Sequence, residues 1–176
     1  MKHAELVALI RDGVLAPGGV WADLGSGAGA FTNALAELVG PSALIFSVDI
    51  DRSALARQQA AGGRRFAQAP TTVLHADFTE PLDLPPLDGV VMANSLHFLV
   101  DKSPVLELVR GYLKPGGRLI VVEYDVDSGN PWVPHPFSFS TWKKMAVAAG
   151  FSEPVLIGRH PSRWLSGLYS AVSARQ

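Results

Sequence analysis

Two patterns of apolar positions alternate along most of the chain. Short unbroken apolar runs are typical of strands buried on both faces of a sheet, whereas apolar positions three or four residues apart are typical of helices that bury one face. The unbroken runs predict strands at 20–24, 43–48, 71–76, 89–93, 118–124, 154–158 and 167–173. The helical spacing predicts helices at 3–13, 28–39, 52–61, 102–113 and 140–149.

The order of these elements predicts an α/β fold. Strand and helix alternate from residue 20 to residue 150, as in a doubly wound, mainly parallel sheet with helices on both faces. No helix separates the last two strands, so we expect a hairpin and an antiparallel last strand. The chain is predicted to form one domain: an N-terminal helix and turn at 1–19, a core at 20–124, and a loop, helix and hairpin at 125–176.

Composition narrows the function classes. Of the 176 residues, 48% are hydrophobic and 18% are charged, which excludes a disordered chain. The formal net charge is -1, whereas proteins that bind nucleic acid usually carry a basic excess, so no nucleic-acid partner is expected. The absence of cysteine excludes disulfide bonds, zinc–thiolate sites and thiol nucleophiles.

The apolar runs also bear on location. None reaches the roughly 20 residues that a membrane-spanning helix needs. Glu5 and Arg11 interrupt the first apolar stretch, which a signal peptide requires unbroken. We therefore expect no membrane insertion and a cytoplasmic protein.

Polar residues mark the ends of three predicted strands, where open parallel sheets bind ligands. The first strand runs into a glycine loop, residues 23–29, whose glycines let a ligand lie against bare main chain. Asp49 ends the second strand and suits ribose hydroxyl groups. Asp77 and Phe78 end the third and suit the amine and the flat face of adenine. The sequence therefore predicts a nucleoside-containing cofactor.

Two cofactor classes fit the glycine loop. Gly25, Gly27 and Ala30, with Asp49 about twenty residues further on, match the dinucleotide pattern of NAD-dependent oxidoreductases. Asp23, two residues before the first glycine, and the third acid at Asp77 disfavour NAD and favour a second class of nucleoside-containing cofactor. So do the Pro-Gly-Gly turn at 115–117 and a terminal hairpin that leaves no room for a second domain.

Five segments, taken in order, resemble the motifs of class I S-adenosylmethionine-dependent methyltransferases: 20–29, 47–51, 75–78, 88–99 and 113–120. The resemblance implies a Rossmann-like, seven-stranded sheet with an antiparallel last strand. It also implies S-adenosylmethionine as cofactor and S-adenosylhomocysteine as product. The cofactor-binding residues that it implies are Asp23, Gly25, Ser26, Gly27, Gly29, Asp49, Ile50, Asp77, Phe78 and Asn94.

The same resemblance distributes these residues over the cofactor. Asp23 and the glycines would lie against the methionine part, with Asp23 offsetting the charge of the amino group directly or through water. Asp49 would bind the ribose, and Asp77 and Phe78 the adenine. The backbone carbonyl of Asn94 would lie beside the sulfonium.

Candidate acceptor residues follow later strands. His97 follows the fourth strand and is the candidate general base for a hydroxyl acceptor; the alternative is a capping or packing histidine. Trp132 and His135, with Phe137, lie in the 125–139 loop and are candidates to cover the acceptor, unless their rings only cover the core. Arg163, or Arg159, lies in the hairpin turn and would meet an anionic group, unless both are solvated.

We therefore predict in-line methyl transfer to a small-molecule acceptor. The segment Asn94-Ser95-Leu96-His97 lacks the Pro-Pro pair of nucleic-acid amino-methyltransferases, and only Asp101 is near enough to suggest a metal, so none is expected. The alternatives are methylation of a protein or a quinone-like lipid precursor, a non-catalytic S-adenosylmethionine-binding protein, and an NAD-dependent oxidoreductase. The site would be open, closed by residues 125–137, or closed by a partner subunit, as in a homodimer.

Overall fold

A computed structural model describes residues 1–62, 69–162 and 165–176. Its strands are β1 (Gly19–Leu24), β2 (Ala43–Asp49), β3 (Thr71–His75), β4 (Leu87–Ala93), β5 (Leu113–Tyr124), β6 (Val155–His160) and β7 (Leu168–Ala174). Its helices are α1 (His3–Ile10), α2 (Ala30–Val39), α3 (Arg52–Gly62), α4 (Ser103–Tyr112) and α5 (Phe139–Ala148), with 3₁₀ turns at Arg11–Gly13 and Leu96–Phe98.

The strands form one seven-stranded sheet in the order β3-β2-β1-β4-β5-β7-β6. The five strands from β3 to β5 pair in parallel, whereas β7 is antiparallel to both β5 and β6. The predicted α/β fold and its antiparallel last strand are confirmed. The order reverses between β1 and β4, which is where doubly wound sheets bind their ligands.

The core lies on both faces of the sheet because successive strand residues point to opposite sides. In β4, Val90 and Met92 pack in the cluster that α4 and α5 cover, whereas Val91 and Ala93 pack in the cluster that α1 and α2 cover. Burial on both faces explains why the strands are unbroken apolar runs.

Most helix and strand boundaries differ from the predicted ones by a residue or more, and two of these differences have a clear cause in the backbone. α2 begins at Ala30 rather than at residue 28, because Gly29, at a φ of 81°, is in the left-handed conformation just before it. β5 begins at Leu113 rather than at residue 118, because Leu113 pairs with Leu87 before the register shifts. In the described part of the chain, no helix is long and apolar enough to cross a membrane.

Candidate functional site

The glycine loop joins β1 to α2 with three glycines at positive φ: Gly25 (80°), Gly27 (55°) and Gly29 (81°). Its Gly25 and Ser26 amides donate to the Val48 carbonyl of the neighbouring strand. A Cβ atom on Gly25 would lie 2.4 Å from Cβ of Ser95 and 3.3 Å from Cε1 of Phe78. Position 25 therefore requires glycine, and the loop packs against the residues that follow β4.

A buried polar network supports the loop from below. Thr32 Oγ1 donates to Asp23 Oδ2 at 2.6 Å. Ser47 Oγ lies 2.7 Å from Ser26 Oγ and 2.9 Å from Gln58 Oε1. The sequence interpretation missed Thr32, Ser47 and Gln58, because helical and strand patterns do not show which polar residues turn inward.

Asp23 is the buried acid of this network, with only 1% of its surface exposed. Its Oδ1 atom is buried and has no hydrogen-bond partner among the described residues. Burial raises the pKa of Asp23 to about 7, and the negative charge of Asp49 adds to the rise, while the hydrogen bond from Thr32 opposes it. A cationic group next to Oδ1 would stabilise the carboxylate.

Asp49, at the end of β2, faces the same loop. Its Oδ2 accepts a hydrogen bond from the Gly27 amide at 2.7 Å, and its Oδ1 accepts one from the Asp51 amide at 2.8 Å. Each carboxylate oxygen has a second lone pair, so Asp49 can still accept hydrogen bonds from a ligand's hydroxyl groups. The next side chain, Ile50, is 64% exposed.

Asp77 and Phe78 follow β3. Asp77 Oδ1 accepts hydrogen bonds from the amide and hydroxyl of Thr79, at 2.9 and 2.7 Å, which fixes the turn. The Phe78 ring is partly buried against the core and is the same ring that approaches Gly25. The Phe78 ring therefore lies at the edge of the glycine loop. Asp77 Oδ1 is already hydrogen-bonded to Thr79 and is not free to bind a ligand.

Asn94 turns the chain at the end of β4. It is the only non-glycine residue with a positive φ, 54°, in the ranges that the structure describes. Its amide donates to the Val122 carbonyl at 2.8 Å, whereas its buried Oδ1 has no partner among those residues. Asparagine tolerates the left-handed conformation better than most residues, which explains its place here.

His97 is held by a buried carboxylate. Glu123 of β5 is fully buried, and its Oε2 lies 2.8 Å from His97 Nδ1. Its Oε1 accepts hydrogen bonds from the amides of Leu96 and His97, at 3.0 and 3.2 Å. The sequence interpretation missed Glu123; the one signal was an acidic residue inside the apolar run of β5.

A buried lysine connects the segment after β4 to the loop after β5. Lys102 Nζ donates to the Leu99 carbonyl at 2.8 Å and to the His135 carbonyl at 3.0 Å. Burial lowers the pKa of Lys102, while the negative charge of Glu123 opposes the shift. The His135 amide donates to the His97 carbonyl, so His135 acts here through its backbone, and its side chain is exposed.

A cavity of about 490 Å³ lies beside His97. Its described walls are formed by Asn94, His97, Phe98, Tyr124, Asn130, Trp132 and Val133, and we call it the aromatic cavity. The predicted cover residue Trp132 is thus at the cavity, and 77% of its surface is exposed. His135 is not part of the wall.

The expectation that Phe137 covers the acceptor is wrong. Phe137 is 2% exposed and packs against Trp142 and Tyr169 at ring-centroid distances of 5.8 and 6.4 Å. Phe137 belongs to the core because the last part of the loop packs against the sheet before α5 begins.

The turn between β6 and β7 lies at the same edge of the sheet. Arg159 forms an ion pair with Asp125 and is therefore engaged within the chain. Arg163 lies outside the described residues. A ligand anion at this edge would have to compete with Asp125 for Arg159.

Comparisons with known proteins agree with this arrangement. Residues 22–119 match the family described as a methyltransferase domain. The chain is 38% identical over 114 residues to a ribosomal RNA small subunit methyltransferase G of Rhodospirillum centenum, covering 65% of this chain and 47% of that one. It is 30% identical over 139 residues to a ubiquinone/menaquinone biosynthesis C-methyltransferase of Ectopseudomonas mendocina, covering 75% and 52%.

This chain therefore spans about half the length of those two relatives. In three dimensions it resembles a crystal structure described as a SAM-dependent methyltransferase from Aquifex aeolicus, with a TM-score of 0.73 over 100% of both chains and 17% identity. At that identity the likeness establishes the fold.

Proposed function

Since the chain belongs to the methyltransferase domain family, we propose that it transfers a methyl group from S-adenosylmethionine to a small organic acceptor in the aromatic cavity. The observation that carries this proposal is the position of residues 94 and 95. Ser95 packs against Gly25 of the glycine loop, while Asn94 lines the aromatic cavity. A donor on the loop and an acceptor in the cavity would therefore be direct neighbours.

The residues present fit this cofactor. The unpartnered Oδ1 of Asp23 suits the ammonium group of the methionine part, and Asp49 retains free lone pairs for the ribose. The exposed Ile50 and the partly buried Phe78 offer apolar surface for the adenine. Asp77 would hold the adenine amine through the carboxylate oxygen that does not bind Thr79.

When bound, S-adenosylmethionine supplies a methyl group on a sulfonium, which is already a good leaving group. The chain's residues then have to orient the acceptor in line with the methyl–sulfur bond, and such positioning contributes roughly 7–11 kcal/mol. His97 would accept the acceptor's proton. Because Glu123 holds Nδ1, Nε2 is the nitrogen left to do so, and it makes no hydrogen bond within the described residues.

A small acceptor is favoured over the substrates named for the relatives. The ribosomal RNA methyltransferase acts on a polyanion, whereas this chain has a net charge of -1 and, among the described residues, no Lys or Arg in the cavity wall. The quinone C-methyltransferase supports a quinone-like precursor as the second candidate, because an apolar ring fits the aromatic walls. A cytoplasmic location and a homodimer stay predictions.

Calorimetric titration tests the proposal first. S-adenosylmethionine and S-adenosylhomocysteine should bind, and NADH should not. Transfer of a labelled methyl group to a panel of small acceptors should then be lost in His97→Gln, with donor affinity unchanged. Binding of NADH alone would refute the cofactor, and donor binding without turnover on any acceptor would favour a binding protein.

A further inference from the structure

Four of the seven described residues in the cavity wall carry rings: His97, Phe98, Tyr124 and Trp132. We propose that the acceptor is an uncharged aromatic compound with a hydroxyl group, methylated on that oxygen. This inference rests on the proposed function and names the substrate class of the same site.

The rings favour a flat apolar molecule. The His97 ring lies 4.3 Å from that of Phe98 and 6.0 Å from that of Tyr124, measured between centroids. Phe98 is 61% exposed and Trp132 is 77% exposed, so two large apolar side chains meet water at the cavity. An aromatic guest would bury both rings and would gain the stacking contacts that aromatic pairs prefer.

The charges around the cavity disfavour an anionic acceptor. Within the described residues, no Lys, Arg, Asp or Glu lines the wall. Two cations that the structure describes at this edge of the sheet are already engaged, since Lys102 donates to two backbone carbonyls and Arg159 pairs with Asp125. Glu123 adds a buried negative charge behind His97. A carboxylate or phosphate on the acceptor would therefore lose its hydration without gaining a counter-ion from the described residues of the wall.

The His97–Glu123 pair points to a hydroxyl group. A base is useful only if the acceptor must lose a proton, and a neutral hydroxyl group is a weak nucleophile until it does. The hydroxyl proton passes to Nε2 of His97, and the oxygen forms its bond to the methyl carbon as the sulfur–carbon bond breaks and sulfur keeps the electron pair. The products are a neutral aryl ether, a neutral thioether, and an imidazolium stabilised by Glu123.

Matched naphthalene derivatives test this inference by binding and by product. With the protein saturated by S-adenosylhomocysteine, 2-naphthol should bind at least tenfold more tightly than 2-naphthoate in a calorimetric titration. Trp132→Ala should weaken 2-naphthol binding at least tenfold, whereas Leu15→Ala should not. Leu15 is also 77% exposed but lies near the opposite edge of the sheet, so it is the matched control.

The outcomes separate the two proposals. If neither S-adenosylmethionine nor its product binds, the proposed function fails. If the donor binds but 2-naphthoate binds as tightly as 2-naphthol, or 2-naphthol does not bind, the acceptor class is wrong and the function stands. Mass spectrometry and NMR of the product should show 2-methoxynaphthalene, and a methyl group on a ring carbon would overturn the inference.

Discussion

Replacing Asp23 by asparagine should remove a pH dependence that the buried carboxyl group imposes on folding. Its pKa rises from 3.8 to about 7 on folding, mainly because burial disfavours the charged form. Between these two values the folded protein binds more protons at this site than the unfolded chain, so stability falls as pH rises. At about 1.4 kcal/mol per unit of pH, the cofactor-free protein should lose about 2.5 kcal/mol through Asp23 between pH 5 and pH 8.

Urea unfolding at several pH values measures this loss. The free energy of unfolding of Asp23→Asn minus that of the parent protein should therefore rise by about that amount from pH 5 to pH 8, so the variant becomes relatively more stable. Asp83→Asn is the control, because Asp83 is an exposed carboxylate and should change the profile little. Parallel profiles for the parent protein and Asp23→Asn would refute the raised pKa.

Ligand binding should show the opposite dependence. An ammonium group beside Asp23 stabilises the carboxylate, so S-adenosylhomocysteine should bind about 20-fold more tightly at pH 7.5 than at pH 5.5. 5′-Methylthioadenosine lacks the amino-acid part and should bind equally well at both pH values. If both ligands respond alike, or if Asp23→Asn keeps the dependence, Asp23 does not hold the ammonium group.

Two further substitutions test the support of the site. Glu123→Gln should lower turnover of hydroxyl acceptors about 100-fold and leave S-adenosylhomocysteine affinity within twofold. The reason is that an amide donor facing Nδ1 forces the His97 proton onto Nε2, the nitrogen that has to accept the acceptor's proton. An unchanged pH–rate profile would contradict this. Gly25→Ala should lower Tm by more than about 5 °C, since the left-handed backbone and the Ser95 clash act together. Gly27→Ala, with nothing within 4 Å of an added Cβ, should lower it by only about 2–4 °C, and equal losses would show that the clash is relieved.

The sequence alone determined the sheet and the edge where ligands bind. Unbroken apolar runs can be buried only between two layers, and the short connection between β6 and β7 indicated a hairpin with an antiparallel last strand. The glycine loop could also be predicted from the sequence, because Gly25, Gly27 and Gly29 adopt backbone conformations that other residues rarely adopt. These are local properties of the chain, so spacing and residue type suffice to predict them.

Tertiary structure alone decided which polar groups meet. Glu123 follows His97 by 26 residues, and the two side chains meet because β4 and β5 pair in parallel and end at the same edge. Phe137 shows the same limit, since its position in the loop resembled that of Trp132 and only packing sent it into the core. The raised pKa of Asp23 likewise arises from burial beneath the loop. Burial and pairing between distant segments depend on how the layers close, and no short pattern encodes that.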